Sequence, residues 1–338
     1  MIEIDGAEGE GGGQVLRNAC ALSLATGESF RIRNIRAGRS KPGLMRQHVT
    51  AVEAACAISG AEAEGLAVGA RELVFRPGSV KAGDYAFAVG TAGSAALVLQ
   101  TVLLPLALAG APSRLALEGG THNPHAPPFD FLERVFLPAL ADIGPRVEAR
   151  LIRHGFYPRG GGRIEVDISP SPLRRVELPE RGDLRRVSAQ VVFAAVPFSV
   201  AERITKSAQS VLSDWPAEAF SYRQLPADDG PGVVALIEAE FEQACEIVSG
   251  FGQIGLRAEI LGEKSAGRMA GFLAGKAFSG PYLADQLILP MALAGGGAFT
   301  TVKPSNHMLT AAAIAEKFTG RRLAAERTGD GAHLMRFE

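Results

Sequence analysis

Residues 2–26, IEIDGAEGEGGGQVLRNACALSLAT, decide how the rest of the chain is read. Ile2–Asp5 alternates apolar and acidic side chains as a short strand does, and Gln14–Thr26 carries its apolar residues at helical spacing. Between them runs a glycine-rich loop, Gly6-Ala7-Glu8-Gly9-Glu10-Gly11-Gly12-Gly13-Gln14, which opens directly into the helix. Exposed amides and the positive end of a helix dipole hold phosphate oxygens in such loops. The spacing is neither G-x-x-x-x-G-K nor G-x-G-x-x-G, and a flexible turn in a glycine-rich protein is the competing reading. Two carboxylates in the loop would repel a phosphate unless a divalent cation bridges them, which makes Glu10 a candidate metal ligand.

The same strand-then-helix rhythm continues outward. Strand-like runs at Phe30–Ile35, Glu72–Arg76, Tyr85–Val89 and Arg114–Glu118 alternate with helix-length apolar segments at Leu44–Ile58, Ala92–Ala109 and Phe129–Ile143. An α/β (α+β) fold follows, with a faint indication of a repeated βαβαββ unit. Prolines and charged residues in Ser169–Arg186 break the apolar pattern as a linker would. Beyond it come a strand-like Ser188–Ala194, a helix-like Ser199–Ser213 and an alternating Val233–Phe241; after Lys276 the earlier style resumes with PYLADQLILPMALAGG, Phe299–Val302, a helix near His307–Phe318 and two closing strands. The expected organisation is a large domain of repeated βαβαββ units, residues 1–180 and 277–338, holding a smaller inserted α/β domain, residues 181–276.

The chain has 338 residues, 47% of them hydrophobic, enough for a sizeable core, and 35 basic against 36 acidic side chains. A polyanion would therefore have to be met by a local basic patch, not by the field of the whole molecule. Cys20, Cys56 and Cys245 lack metal-ligand spacing and are expected to be buried thiols in a reducing compartment. The first residues show no basic segment followed by an apolar one, so a cytoplasmic protein is expected. Gln100 and Pro105 interrupt the long apolar run, which reads as a core helix and not as a membrane span.

Four further segments could carry chemistry. Arg36-Ala37-Gly38-Arg39-Ser40-Lys41-Pro42-Gly43, followed by Arg46, Gln47 and His48 and joined by Arg17, concentrates cations at two loop–helix junctions. It reads either as a phosphate grip, since guanidinium forks bind phosphate bidentately, or as a solvated basic face with His48 at the surface. Thr121-His122-Asn123-Pro124-His125-Ala126-Pro127-Pro128 is rigid and imidazole-rich, a ligand-contacting wall or a structural turn, with no third ligand to make its histidine pair a metal site. His154-Gly155-Phe156-Tyr157-Pro158-Arg159-Gly160-Gly161-Gly162 reads first as a bulged hairpin. Lys303-Pro304-Ser305-Asn306-His307 runs from a strand into a helix capped by Ser305 or Asn306. A histidine there is held neutral by the helix dipole, leaving a ring nitrogen free as a nucleophile.

Taken together, GEGGGQ, RAGRSKPGLMRQH, HNPHAPP, HGFYPRGGG and YLADQLILPMALAG resemble the RNA 3′-terminal phosphate cyclases over essentially the whole chain. The resemblance implies an ATP-consuming enzyme that acts on RNA 3′-phosphate ends. Its histidine takes AMP from ATP, AMP passes to the RNA 3′-phosphate, and the neighbouring 2′-hydroxyl displaces AMP to close a 2′,3′-cyclic phosphate. By matching motif, His307 is the implied nucleophile and Glu10 the residue near Mg²⁺ or Mn²⁺. Arg17, Arg36, Arg39, Gln47 and His48 are implied to hold phosphates of ATP or of the RNA end. Pro127 and Tyr282 resemble the pair that sandwiches adenine, and Gln100, Asp285 and Gln286 the polar residues around the nucleotide. No membrane and no obligate protein partner is implied. A non-catalytic ribosome-assembly protein of the same fold is the alternative, although that branch lacks the late histidine. An enolpyruvyl-transferase-like enzyme, which repeats the same units, is a more distant one.

Overall fold

The computed structural model describes residues 1–90, 92–329 and 331–338. In the first unit, β1 (Ile2–Asp5), α1 (Gly13–Thr26), β2 (Phe30–Arg33), α2 (Arg46–Ser59), β3 (Glu62–Glu64) and β4 (Leu73–Arg76) form a sheet of order β1-β2-β4-β3. Strands β1 and β2 are parallel, with Ile2 beside Phe30 and Ile4 beside Ile32. Antiparallel β4 then brings Phe75 against Phe30, ring centroids 5.5 Å apart. A parallel pair needs a crossover, and α1 supplies it by laying its apolar stripe on the sheet.

The unit then recurs. β5 (Asp84–Ala88), α3 (Ala95–Ala107), β6 (Ser113–Gly119), a helical run over residues 129–143, β7 (Arg146–Arg153) and β8 (Gly162–Ser169) give a sheet of order β5-β6-β8-β7. That run comprises α4 (Phe129–Phe131), a π turn (Leu132–Phe136) and α5 (Leu137–Ile143). In the third unit β9 (Glu177–Leu178) is separated from the rest by a long excursion. That excursion comprises β10 (Leu184–Ala194), α6 (Phe198–Val211), β11 (Phe220–Gln224), β12 (Gly232–Phe241), β13 (Cys245–Phe251) and α7 (Ala258–Leu273), whose strands pair among themselves in the order β11-β10-β12-β13. The third unit resumes with α8 (Pro281–Leu293), β14 (Gly297–Thr301), α9 (Asn306–Thr319), β15 (Leu323–Arg327) and β16 (His333–Phe337), in the order β9-β14-β16-β15. The repetition that is faint in the sequence is therefore explicit in the strand order, and the fold is mixed α/β as expected.

Helix α1 packs against α2, α3, α8 and α9 and so lies at the centre of the helical layer. Helix α3 is buried along its whole length apart from Gln100, which identifies the long apolar run as core. Among the described residues no helix is long and apolar enough to cross a membrane. Cys20 is buried and Cys56 and Cys245 are half-buried, all three as free thiols.

The stretch Ser169–Arg186, read from sequence as a linker, is tightly held. It contributes β9, which pairs with Ala298 and Phe299 of β14. Arg181, 7% exposed, lies between the rings of Phe241 and Phe272 at 4.3 and 4.4 Å. Its guanidinium donates to the carbonyls of Phe272, Leu273, Gly275 and Ala277, the acceptors left over where α7 ends. One arginine thus ties the entrance of the excursion to its exit.

A buried carboxylate makes a second tie. Oε2 of Glu246, on β13, accepts the Gly280 amide at 2.9 Å where α8 begins. Burial pushes the Glu246 carboxyl up to about 7, against the opposing pull of the Gly280 N–H and the guanidiniums of Arg181 and Arg268. Between about pH 4.5 and about 7 the folded protein therefore keeps a proton here that the unfolded chain has released. The contribution of this site to stability falls as pH rises through that window. Glu246→Gln keeps an oxygen for the Gly280 amide and removes the titration. In chemical unfolding the wild type is expected to lose stability relative to this variant as pH is raised across the window, with the difference levelling off above it. A wild type that gains on the variant over the same range would show that the carboxylate is the favoured form.

Candidate functional site

Each strand-to-helix connection of a βαβ unit delivers its loop to the end of the sheet where the helices begin. In this chain several such connections converge on one cavity of about 800 Å³. The β1–α1 loop brings Glu10, Gly12 and Gly13, and α1 adds Gln14 and Arg17. The β2–α2 connection brings Arg36 and Arg39, and the first turn of α2 brings Gln47 and His48. The loop after β6 brings Pro127, and α3 brings Gln100. Helix α8 presents Tyr282, Asp285 and Gln286, and α9 presents His307 from its first turn. Each residue to which the family resemblance assigns a part in the site lines this cavity. The N-termini of α1, α2 and α9 meet there, and their dipoles favour an anion.

Helix α9 sets the position of His307. Ser305 is its N-cap, accepting the Met308 N–H at 3.0 Å and donating to Asp285 Oδ1 at 2.6 Å. Burial raises Asp285 to about 7, despite the bonds from Ser305 and the Met308 amide that pull it down. His307 Nδ1 lies 2.8 Å from Gln14 Oε1, an acceptor, so the ring proton belongs on Nδ1. Nε2 then carries the free lone pair, 3.9 Å from Glu10 Oε1. Partial desolvation of this half-exposed ring, and after it Arg39 and Arg17, lowers the His307 pKa from the ordinary 6.5, which favours the neutral ring.

The loop that carries Glu10 is fastened to the same helix. The Glu10 amide donates to Thr310 Oγ1 at 2.9 Å, and Thr310 donates to the Asn306 carbonyl at 2.6 Å. Gly9 adopts φ +62 at this contact, and a Cβ there would stand 2.3 Å from Thr310 Oγ1. Only glycine lets the loop approach so closely. The Glu10 carboxylate is ion-paired with Arg39, whose guanidinium also reaches the Glu10 carbonyl at 3.1 Å. Glu8 is exposed and does not line the cavity. The repulsion expected of two loop carboxylates is thus absent, because only one faces inward and it already has a cation. Among the described residues no group of three or more His, Cys, Asp or Glu side chains is placed to hold a metal ion. A single carboxylate still suits Mg²⁺ or Mn²⁺ when phosphates and waters supply the other ligands.

The basic wall is more ordered than a solvated face. Burial brings Arg17 down to about 10, so it stays charged at neutral pH, and its Nε is buried with no hydrogen-bond partner among the described residues. Arg36 donates to the carbonyls of Lys41 and Gly43 at 2.6 and 2.9 Å, which shapes its own loop. Lys41 and Arg46 do not line the cavity. His48 is buried, contrary to its reading as a surface residue. Its Nδ1 accepts the Met45 N–H at 2.9 Å, leaving the proton on Nε2. Burial, then Arg17 and Arg36, pushes its pKa down to about 3, so it is a neutral donor at any working pH. A Cβ on Gly13 would stand 2.2 Å from His48 Nε2, so the bare loop is what leaves this imidazole its place.

At the other end Gln100 donates to Gln286 Oε1 at 2.6 Å, and Tyr282 is 46% exposed with its ring edge-on to Phe131. The segment 121–128 divides. His122 is buried and bonded to Asp130 at 2.8 Å and to Thr121, whereas His125 and Pro127 line the cavity, so the two imidazoles do not form a metal pair. His154 and Phe156 pack on His122, and residues 154–162 stay outside the cavity as a structural support. Sequence reasoning missed Asn18, Ser249, Gln253, Lys264, Ser265 and Arg268, which also line it. The buried periodicity of α7, Ala258, Leu261, Ser265, Met269 and Phe272, is the signal that marks the helix bearing three of them.

The family profile described as RNA 3′-terminal phosphate cyclase matches residues 8–325 of the chain.

Thr310→Val keeps the shape and removes the acceptor for the Glu10 amide. The expected cost is about 1–2 kcal/mol in chemical unfolding, together with several-fold weaker calorimetric binding of tripolyphosphate. Unchanged affinity for this anion would mean that the loop holds its shape without α9.

Proposed function

The chain belongs to the RNA 3′-terminal phosphate cyclase family, and from that premise we propose that it converts an RNA 3′-phosphate to a 2′,3′-cyclic phosphate at the expense of ATP, through AMP carried on His307. The observation that carries this reading is His307 itself: a neutral imidazole in the cavity lining, its Nδ1 proton held by Gln14 and its Nε2 3.9 Å from Glu10 Oε1.

In the first step Nε2 attacks the α-phosphorus of ATP, the bond to the bridging oxygen breaks, and pyrophosphate departs. Gln14 Oε1 accepts from Nδ1–H and stabilises the positive charge that develops on the ring. Arg17, Arg39 and neutral His48, with Gln47 and Arg36 beside them, bind the phosphates. A Mg²⁺ or Mn²⁺ ion held by Glu10 and the phosphates would neutralise charge on the departing pyrophosphate. In the second step an oxygen of the RNA 3′-phosphate attacks the same phosphorus and the P–N bond breaks, which frees the histidine. In the third, the 2′-oxygen attacks the 3′-phosphorus, loses its proton and expels AMP. Activation replaces a poor leaving group by a good one, and the vicinal hydroxyl is already within near-attack reach. Pro127 and Tyr282 sandwich the adenine, with Gln100, Asp285 and Gln286 around the nucleoside. Residues 181–276 form an inserted domain within the large one, and the protein works in the cytoplasm without an obligate partner.

His307→Ala is expected to abolish labelling of the protein by α-labelled ATP while the melting transition stays close to that of the wild type, because an exposed helix-start side chain contributes little core. A variant still labelled would place the nucleophile elsewhere. The end chemistry has its own test, since activation needs only the terminal phosphate and closure needs the 2′-hydroxyl. An oligonucleotide ending in a 2′-deoxy 3′-phosphate is expected to stall as an adenylylated end, one AMP heavier by mass. Cyclic product from a ribose end with no AMP-bearing intermediate would overturn the pathway.

A further inference from the structure

The excursion returns to the third unit at α8, and its last strand and helix hold the first turn of α8 in two ways. Glu246 of β13 accepts the Gly280 amide at 2.9 Å and so fixes the backbone where the helix starts. Arg268 of α7 donates through Nη1 to the Tyr282 hydroxyl at 3.3 Å and through Nη2 to the Ser249 carbonyl, again on β13. The guanidinium fork therefore spans from the excursion to the phenol, and its plane is set because both arms are engaged. Tyr282 is half-exposed, and its other ring contact is an edge-on one to Phe131 at 6.5 Å. With half of the ring exposed, the bond to its hydroxyl adds a restraint on its orientation to the one that Phe131 gives.

We propose that Arg268 is a positioning residue that locks the Tyr282 ring as a preformed face for the nucleotide base, so that the inserted segment sets base affinity and leaves the phosphate end untouched. The inference rests on the proposed nucleotide reading of the cavity. Stacking on an aromatic face depends on the ring standing in place before the base arrives, because a mobile ring must be ordered at the expense of affinity. The phosphate wall belongs to other elements, α1, the β2–α2 connection and α9, none of which Arg268 bonds.

The test is calorimetric binding of AMP and of tripolyphosphate to the full chain. Arg268→Met should weaken AMP about tenfold, within the range of one lost stacking contact, and leave tripolyphosphate affinity unchanged, which also shows that the variant is folded. Tyr282→Phe, which keeps the ring and loses the hydroxyl, should reproduce the loss, and the double variant should be no weaker than either single one. Arg268→Lys should restore part of the affinity, since an ammonium can satisfy the phenol or the Ser249 carbonyl without spanning both. Equal AMP affinity in wild type and Arg268→Met overturns the proposal. So does a parallel loss of tripolyphosphate binding, which would make Arg268 a phosphate ligand or a purely structural residue. So do additive single effects. A wild type that binds tripolyphosphate and not AMP overturns the nucleotide reading itself and this inference with it, an outcome separable from the others because it appears before any substitution is made.

Discussion

The site depends on one constraint, the fastening of the first loop of the chain to its last helix. The bond from the Glu10 amide to Thr310 joins residues 300 apart in sequence, and the packing of α1 on α9 makes it possible. Without that contact Glu10 has no fixed relation to His307, and Gln14 cannot hold the imidazole proton. Gly9 then follows, since no other residue permits both the backbone angle and the approach. Ser305 and Asp285 extend the same chain of contacts to α8, so His307, the acidic loop and the α8 wall are positioned as one body.

A chain with near-equal numbers of acidic and basic side chains builds an anion site by placement. Each helix N-terminus contributes about 0.3–1 kcal/mol toward an anion, and more when partly buried. Arg17 adds a charge that burial weakens without removing. His48 adds a donor with no charge at all, because burial and two guanidiniums keep it neutral. Arg39 neutralises Glu10, which removes the one carboxylate that would oppose a phosphate at the loop. The resulting field is local, so it draws an anion to this cavity without making the whole surface adhesive.

The local signals were legible in the sequence where periodicity and loop chemistry are local properties. The strand, glycine loop and helix of residues 2–26 needed only alternation and helical spacing. A cap at Ser305 or Asn306 follows from side chains that compete for a free amide, and the structure selects Ser305. What was not legible arises from tertiary contact. His48 reads as solvent-facing at a helix start, and its burial is imposed by the β1–α1 loop lying over it. Arg181 reads as linker charge, yet two aromatic rings and a spent helix end make it a buried clamp. Of the third repeat only the opening strand was hidden, because β9 spans only Glu177–Leu178 and its partner β14 begins at Gly297. The helix α7 was missed because Gly262, Gly267 and Gly271 dilute its pattern.

The place of the excursion explains why residues from it reach the cavity at all. Both intact units close their first crossover with a short loop from strand to helix, and the third opens at that same connection, between β9 and α8. In a βαβ unit that connection lies at the end of the sheet where helix N-termini gather, the end at which this cavity forms. Segments inserted on the opposite side, between a helix and the next strand, would hang far from it. An insertion at β9 must instead return its chain to the start of α8, the helix whose first turns carry Tyr282 and Asp285. The tie made by Arg181 keeps entrance and exit together. Its contact with the site is therefore a consequence of topology, and Glu246 and Arg268 are side chains through which that consequence reaches the first turn of α8.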